Sequence, residues 1–353
     1  MGKQNGKVGI NGNGVTAGCQ SFIPERQVYI RQSACVAGTK ESEGPFGELI
    51  DMVGKDDLFG CNTWEEAEST LQKEAVTLAL GKAGMKAEEV RYLFAGDLLG
   101  QSTASSFGVS SFGIPHMGVY GACSTCGETL GLGTMAISGK MAEDVVCVTS
   151  SHFASAEKEF RYPLAYGNQR PPSATWTVTG GAAFILTSKV SKRNRAEITG
   201  VTNGKIVDYG IKDSMNMGAC MAPAACELIA ANLKDFGRTP GDYDKIITGD
   251  LGLVGQRALI DLLKEKNINI EDQHLDCGIE IYDGSSQDVG SGGSGCGCSA
   301  VTLSAYILKM LEEGVWKRVL FVPTGALLSK TSFNEGMTVP GIAHGIVLES
   351  TAA

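Results

Sequence analysis

With 353 residues, 43 % of them apolar, the chain is long enough to bury a substantial core in one large domain or two of ordinary size. A net charge of −9 with no basic block excludes a sequence-independent nucleic-acid binder, which must neutralise phosphates. No apolar run approaches the roughly 18 residues of a spanning helix, so any membrane role is expected to depend on partners.

Residues 1–24 read as a loose N-terminal segment. The first fourteen are rich in Gly and Asn and lack the apolar core of a leader. The run Gly12-x-Gly14-x-x-x-Gly18 is no dinucleotide fingerprint, because no strand precedes it and no clear helix follows. From Trp64 to Ala83, apolar residues recur at helical spacing: Ala67, Leu71, Ala75, Leu78 and Ala79. Residues 90–98 form an apolar run that predicts a buried strand ending in Gly96-Asp97-Leu98. The cluster Gly121-Ala122-Cys123-Ser124-Thr125-Cys126 then opens a helix, and Gly180-Gly181-Ala182-Ala183 leads into another apolar strand.

Residues 188–195 are polar and basic and mark a seam, because the same markers then recur in the same order. Helical patterns cover residues 224–233 and 254–263. Residues 243–251 form an apolar strand ending in Gly249-Asp250-Leu251. The cluster Gly295-Cys296-Gly297-Cys298-Ser299-Ala300 opens a helix, and Gly341-Ile342-Ala343-His344-Gly345 enters a closing strand. The same 24-residue spacing separates Gly121 from Val145 and Gly295 from Val319. Two halves follow, 25–190 and 196–353. The helices after the two Cys clusters are rich in Gly, Ala, Thr and Leu and poor in charge, as suits helices buried against each other. The predicted architecture is an α/β, duplicated five-layer αβαβα sandwich with two buried central helices. Eleven cysteines, an odd number, read as reduced thiols, most of them small buried hydrophobes.

Tyr120-Gly121-Ala122-Cys123-Ser124-Thr125-Cys126 resembles the nucleophile loop of the thiolase and ketoacyl-synthase superfamily. The closer resemblance is to one branch, the stage V sporulation protein AD family of spore-forming bacteria. It rests on Thr63-Trp64-Glu65-Glu66-Ala67-Glu68, Ala95-Gly96-Asp97-Leu98-Leu99, Thr149-Ser150-Ser151-His152 and Phe160-Arg161-Tyr162-Pro163. Val178-Thr179-Gly180, residues 218–225, Gly292-Gly293-Ser294-Gly295-Cys296 and Thr324-Gly325-Ala326-Leu327-Leu328-Ser329 complete it. The resemblance runs from about residue 25 to the end. It implies a thiolase-like fold and a dipicolinate-binding protein, with or without calcium, that serves dipicolinate uptake into the forespore. It also implies membrane channel proteins as partners, a peripheral place at the inner forespore membrane, and a homodimer paired through the sheet edge at residues 117–120.

A condensing enzyme needs a thiolate, a proton-moving pair and an oxyanion hole. Cys123 at a helix start meets the first need. Where the enzymes place a His after the strand ending at Gly249, this chain has Asp250. The Gly-rich loop 288–295 has neither the His nor the Asn of the enzymes, and Thr338-Val339-Pro340 stands where thiolases keep a second Cys. A non-catalytic protein is therefore expected, and no cofactor is called for. A condensing enzyme or acyltransferase using Cys123, and a structural scaffold of a membrane channel complex, are the alternatives. Cys123 is then a buried residue inherited from an enzyme or a pocket wall. Cys123-x-x-Cys126 has two further readings, a redox pair or half of a zinc site with Cys296-x-Cys298.

The candidate ligand-binding residues are Cys123, His152, Arg161, Asp250, Gly293, Ser294 and His344. Two helix N-termini facing one cavity favour a dianion. Gly293 lets the backbone approach it, Ser294 donates a hydrogen bond, and Arg161 clamps a carboxylate or makes a structural ion pair. Cys123, Val289 and Phe153 are candidate walls for a flat ring. Asp97 and Asp250 cap turns or help hold calcium. His274, in a polar segment, is expected to be exposed, and His116 to lie in a loop.

Overall fold

The structure, a computed structural model, describes residues 16–160 and 170–352. In the first half the main elements are β1 (Val28–Ala37), α1 (Trp64–Ala83), β2 (Tyr92–Gly96), β3 (His116–Gly118), α2 (Thr125–Ser138), β4 (Asp144–Ser151) and β5 (Gly180–Thr187). The second half has β6 (Ala196–Thr202), α3 (Met217–Phe236), β7 (Lys245–Thr248), α4 (Gly252–Glu265), β8 (His274–Asp276), α5 (Cys296–Thr302), β9 (Arg318–Val322) and β10 (Gly345–Glu349). A π turn, Leu303–Ile307, and Leu308–Glu312 prolong α5.

The duplication is visible in the strand order, β8-β7-β9-β10-β6-β1-β5-β4-β2-β3. Read outward from the centre, each half is the same mixed sheet. β1 pairs antiparallel with β5, β5 antiparallel with β4, β4 parallel with β2, and β2 parallel with β3. β6, β10, β9, β7 and β8 repeat that pattern. Even the irregularity repeats, with a register shift between Ile30 and Gln32 in β1 and another between Ile198 and Gly200 in β6. The halves meet where Val28, Tyr29 and Ile30 pair antiparallel with Ile198, Glu197 and Ala196.

The inner strands are buried on both faces, and their period of two divides them between two cores. In β5, Ala182, Phe184 and Leu186 join the central core, while Ala183 and Ile185 pack under α1. In β9, Val319 and Phe321 face the centre, and Leu320 and Val322 face outward with residues of α3 and α4. α2 and α5 fill the central layer between the sheets, with Cys126, Leu130, Cys298 and Val301 all fully buried. The expected five layers follow from this division.

α1 starts where Thr63 accepts the Glu66 N–H at 3.2 Å and ends at Gly84, whose φ of 60° suits glycine. Gly81 in its last turn has open space where a Cβ would go. Gly81→Ala is therefore expected to raise stability by about 0.5–1 kcal/mol through helix propensity, measured by denaturant unfolding.

The expectation of a loose segment over 1–24 needs correction for the part described. Thr16–Ala17 and Ser21–Phe22 form a small hairpin that adds to β6. The Cys19 and Gln20 N–H groups and the Ser21 hydroxyl donate to the buried Asp235 carboxylate at 2.9–3.1 Å. A Cβ at Gly18 would lie 1.8 Å from that carboxylate, so glycine is required there.

Just after β1, Glu41 joins the halves. Its buried carboxylate accepts the Thr179 N–H at 3.0 Å and the Tyr282 hydroxyl, while Gln287 Nε2 donates to the Lys40 carbonyl at 2.7 Å. Burial pushes the Glu41 carboxyl up to about 7.

Candidate functional site

The first part of the site is a backbone elbow before α2. Ala122 sits at φ 50°, a region that costs a non-glycine residue on the order of 1 kcal/mol. Side chains of the following turn hold it. The Thr125 hydroxyl donates to the Ala122 carbonyl at 2.6 Å and accepts the Gly121 N–H at 3.0 Å, and the Ser124 hydroxyl donates to the Gly121 carbonyl at 2.7 Å. Gly325 lies against the elbow from the other half. Cys123 is only 5 % exposed and tops this turn.

The second part is Asp250, at the end of β7 and fully buried. It accepts from the Thr324 hydroxyl at 2.8 Å, the Gly295 N–H at 2.9 Å and the Ser294 hydroxyl at 3.1 Å. This carboxylate ties together the loop after β7, the Gly-rich loop before α5 and the strand Thr324–Ala326, close enough to the elbow for its charge to act on Cys123. Burial raises its carboxyl to about 6, against the pull of those donors. The consequence for the sulfur is decisive. Burial first, and the Asp250 charge second, push the Cys123 thiol well above the ordinary thiol range. A nucleophile needs the thiolate, and this site stabilises the thiol.

Of the two helix N-termini expected to face a dianion, that of α5 has its N-cap N–H engaged within the protein. The N-cap of α5, Gly295, already donates its N–H to Asp250, so the protein's own carboxylate occupies that place. Beside it is a closed cleft of about 20 Å³, room for one water. Its walls are Cys123 and Ser294 with Leu98, Phe160, Met217 and Leu328, and Glu157 at one side. Glu157 lies 3.7 Å from Arg170. Wider grooves occur on the surface at the N-terminal end of α1 and near the end of α3, away from Cys123.

Of the candidate residues, the structure brings Cys123, Asp250 and Ser294 together. His152, Gly293 and His344 do not line the cleft. His152 is 1 % exposed, its Nε2 2.7 Å from the Asp57 carbonyl and its Nδ1 accepting the Ala154 N–H at 3.1 Å. Both ring nitrogens are thus engaged away from the sulfur. His344 packs its Cβ toward Gly127 of α2, and its Nδ1 accepts from Gly204 N at 3.4 Å; burial lowers the imidazole to about 4. Gly293 pairs with Trp176, and a Cβ on it would press on Ile281 and Tyr282, so it serves packing. Arg161 lies outside the described residues.

Of the expected ring walls only Cys123 lines the cleft. Val289 belongs to the central core, and Phe153 stacks on Trp176 at 4.0 Å. Asp97 caps a turn, accepting from Leu99 N at 2.8 Å and from Ser105 N and Oγ at 2.7 and 2.6 Å. His274 is a second correction. It is 7 % exposed, because β8 pairs with β7 and turns its ring onto Thr248 at 3.0 Å and Gln256 at 3.1 Å. His116 stands on the edge strand β3, not in a loop. The walls that sequence reasoning missed, Leu98, Phe160, Met217 and Leu328, come from four distant segments. Three of the four lie in or beside the quoted family motifs, and Met217 sits one residue before one.

Alkylation tests the electrostatics. At pH 7.5 iodoacetamide is expected to label exposed Cys19 first and Cys123 far more slowly. Asp250→Asn removes the charge that opposes the thiolate and is expected to speed Cys123 labelling about tenfold, read by peptide mass spectrometry.

Residues 18–349 match the family described as Stage V sporulation protein AD (SpoVAD). The chain is 42 % identical over 334 residues to Stage V sporulation protein AD of Bacillus subtilis (strain 168), covering 94 % of this chain and 97 % of the relative. The chain belongs to the stage V sporulation protein AD family. Among solved structures it is similar in fold to 3-oxoacyl-[acyl-carrier-protein] synthase III from Aquifex aeolicus VF5, with a TM-score of 0.56 and 15 % identity over 91 % of this chain and 99 % of that one. Human mitochondrial 3-ketoacyl-CoA thiolase matches with a TM-score of 0.55 and 12 % identity over 94 % of this chain and 99 % of that one. The thiolase-like fold of this family member is thus plain. Among its described residues no helix is long and apolar enough to cross a membrane.

Proposed function

We propose that this family member is a non-catalytic carrier that binds dipicolinate at the cleft beside Cys123 during its uptake into the forespore. The observation that carries the non-catalytic part is Asp250. It stands where the enzymes place a His, and it holds the neighbouring sulfur as a thiol. The ligand class comes from the family membership and is compatible with the mostly apolar walls around Ser294.

Asp250 also bears on the ligand's form. A free dianion entering here meets a resident carboxylate, and like charges at short range repel strongly in a buried site. Calcium dipicolinate carries no net charge and avoids that repulsion, so the chelate is the favoured ligand. The cleft has room for about one water, so binding requires outward movement of Phe160, Met217 or Leu328. Calorimetry is expected to show tighter binding of calcium dipicolinate than of dipicolinate alone. No heat with either at about 1 mM would reject the ligand assignment and favour a pure scaffold.

One observation favours a second reading, acyl transfer from Cys123: the strained elbow at Ala122 is kept. Incubation with an acyl-CoA followed by intact-mass measurement decides it, since an adduct on Cys123 would replace the carrier reading.

The carrier is placed at the inner forespore membrane through membrane channel proteins, and as a homodimer through β3. That edge strand leaves Met117 and the nearby Tyr120 about 40 % exposed. Sedimentation of Met117→Lys against the parent chain tests the dimer, which the added charge should dissociate.

A further inference from the structure

At the end of the molecule opposite the cleft, the seam between the halves forms a basic groove. β1 runs toward the cleft from this end, α1 finishes here at Lys82, and β5 delivers the chain into residues 188–195. The groove has a volume of about 360 Å³ and is lined by Arg31 and Lys82 on one side and Lys189, Ser191, Arg193 and Asn194 on the other. Four cations and no carboxylate line it, in a chain whose net charge is −9.

Part of this charge is already used. Lys82 pairs with Asp51 at 2.6 Å, and Lys189 pairs with Asp144 at 2.7 Å. Arg31 donates to the Ala83 carbonyl at the end of α1, at 2.7 Å. No carboxylate of the described residues pairs with Arg31, Lys192 or Arg193. Beside them Val190 is 74 % exposed on the rim.

We propose that this groove is a docking site for an acidic peptide segment of a partner protein, its carboxylates between Arg31 and Arg193 and an apolar side chain on Val190. A flat bilayer fits less well, because the cations line both sides of a groove. A small inorganic anion leaves Val190 without a role. Guanidinium groups suit carboxylates, which they bind through paired hydrogen bonds. Because the groove lies across the sheet from Cys123, a partner docked here leaves the cleft open to its ligand.

The test uses the full chain and a fluorescein-labelled octaglutamate peptide, followed by anisotropy at low ionic strength. Net repulsion by the acidic protein works against this probe, so binding reports the local cluster. Octaglutamate is expected to bind the parent chain and to lose affinity at least about tenfold with Arg31→Gln/Arg193→Gln, and to bind more weakly in salt. A photoreactive version is expected to crosslink within residues 188–195. Arg193→Glu alone, on an exposed loop, gives the same answer if the double variant folds poorly.

Absence of binding, equal affinity for the variants, or crosslinks elsewhere would overturn the proposal. So would binding of phosphatidylglycerol vesicles or pyrophosphate to this groove where the peptide does not bind. Calorimetry with calcium dipicolinate on the same variants should be unchanged, which separates failure here from failure of the carrier reading.

Discussion

Glu41→Gln should stabilise the protein by up to about 3 kcal/mol at pH 8 and leave it nearly unchanged at pH 4. The glutamate carboxyl is 1 % exposed, and burial lifts it from 4.5 to about 7 in the folded chain. A raised folded value means that the native state prefers the protonated acid. Its stabilising contribution is complete below the unfolded value and is lost as pH rises from about 4.5 through about 7. Above that window the wild type keeps a charge in the interior at a cost near 1.4 kcal/mol for each unit between the two values. Glutamine removes the charge and keeps the oxygen that accepts from Thr179 and Tyr282. Thermal unfolding of both chains from pH 4 to pH 8 checks this, and parallel curves would show that Glu41 does not titrate as its burial requires.

Gly325→Ala should lower stability by about 2–3 kcal/mol, or roughly 5 °C in melting temperature for a chain of this size. A Cβ there would stand 2.3 Å from the Gly121 carbonyl oxygen, 3.0 Å from Ser124 N and 3.3 Å from Cys123 N. All three are backbone atoms, so no rotamer change relieves the clash and the elbow itself must shift. A local readout accompanies the global one, because displacing the elbow moves Cys123 relative to the Asp250 charge and should change the Cys123 alkylation rate. An unchanged rate together with an unchanged melting temperature would mean that the two halves do not meet at Gly325 as described.

The fold was legible because its markers recur. Gly-Asp-Leu at a strand end, a Gly-Cys cluster and a Gly-rich strand entry appear twice in one order, and each marks a place where the backbone must turn sharply or pack closely. The five layers followed from the apolar strands and the charge-poor helices after Cys123 and Cys298. Three features stayed hidden. The hairpin at residues 16–22 is too short to show periodicity, and Asp235, more than 200 residues away, supplies its partners. His274 sits among charged residues, but strand pairing at a sheet edge turns it inward. At the site, the elbow and Asp250 were legible from residue type and position. The cleft was not, since its apolar walls come from segments whose nearness depends on tertiary packing. The histidines fared worst, because partners such as the Asp57 carbonyl leave no trace in a motif.

The alternating membership of each strand has a bearing on how this molecule tolerates change. Ile185 presses on α1 and Leu186 on the middle layer, although their Cα atoms are under about 4 Å apart. A substitution at one of these neighbours alters a layer that the other never touches. The central and outer cores can therefore be varied separately along one strand, whereas Met217 and Leu328 belong both to the outer core and to the cleft beside Cys123.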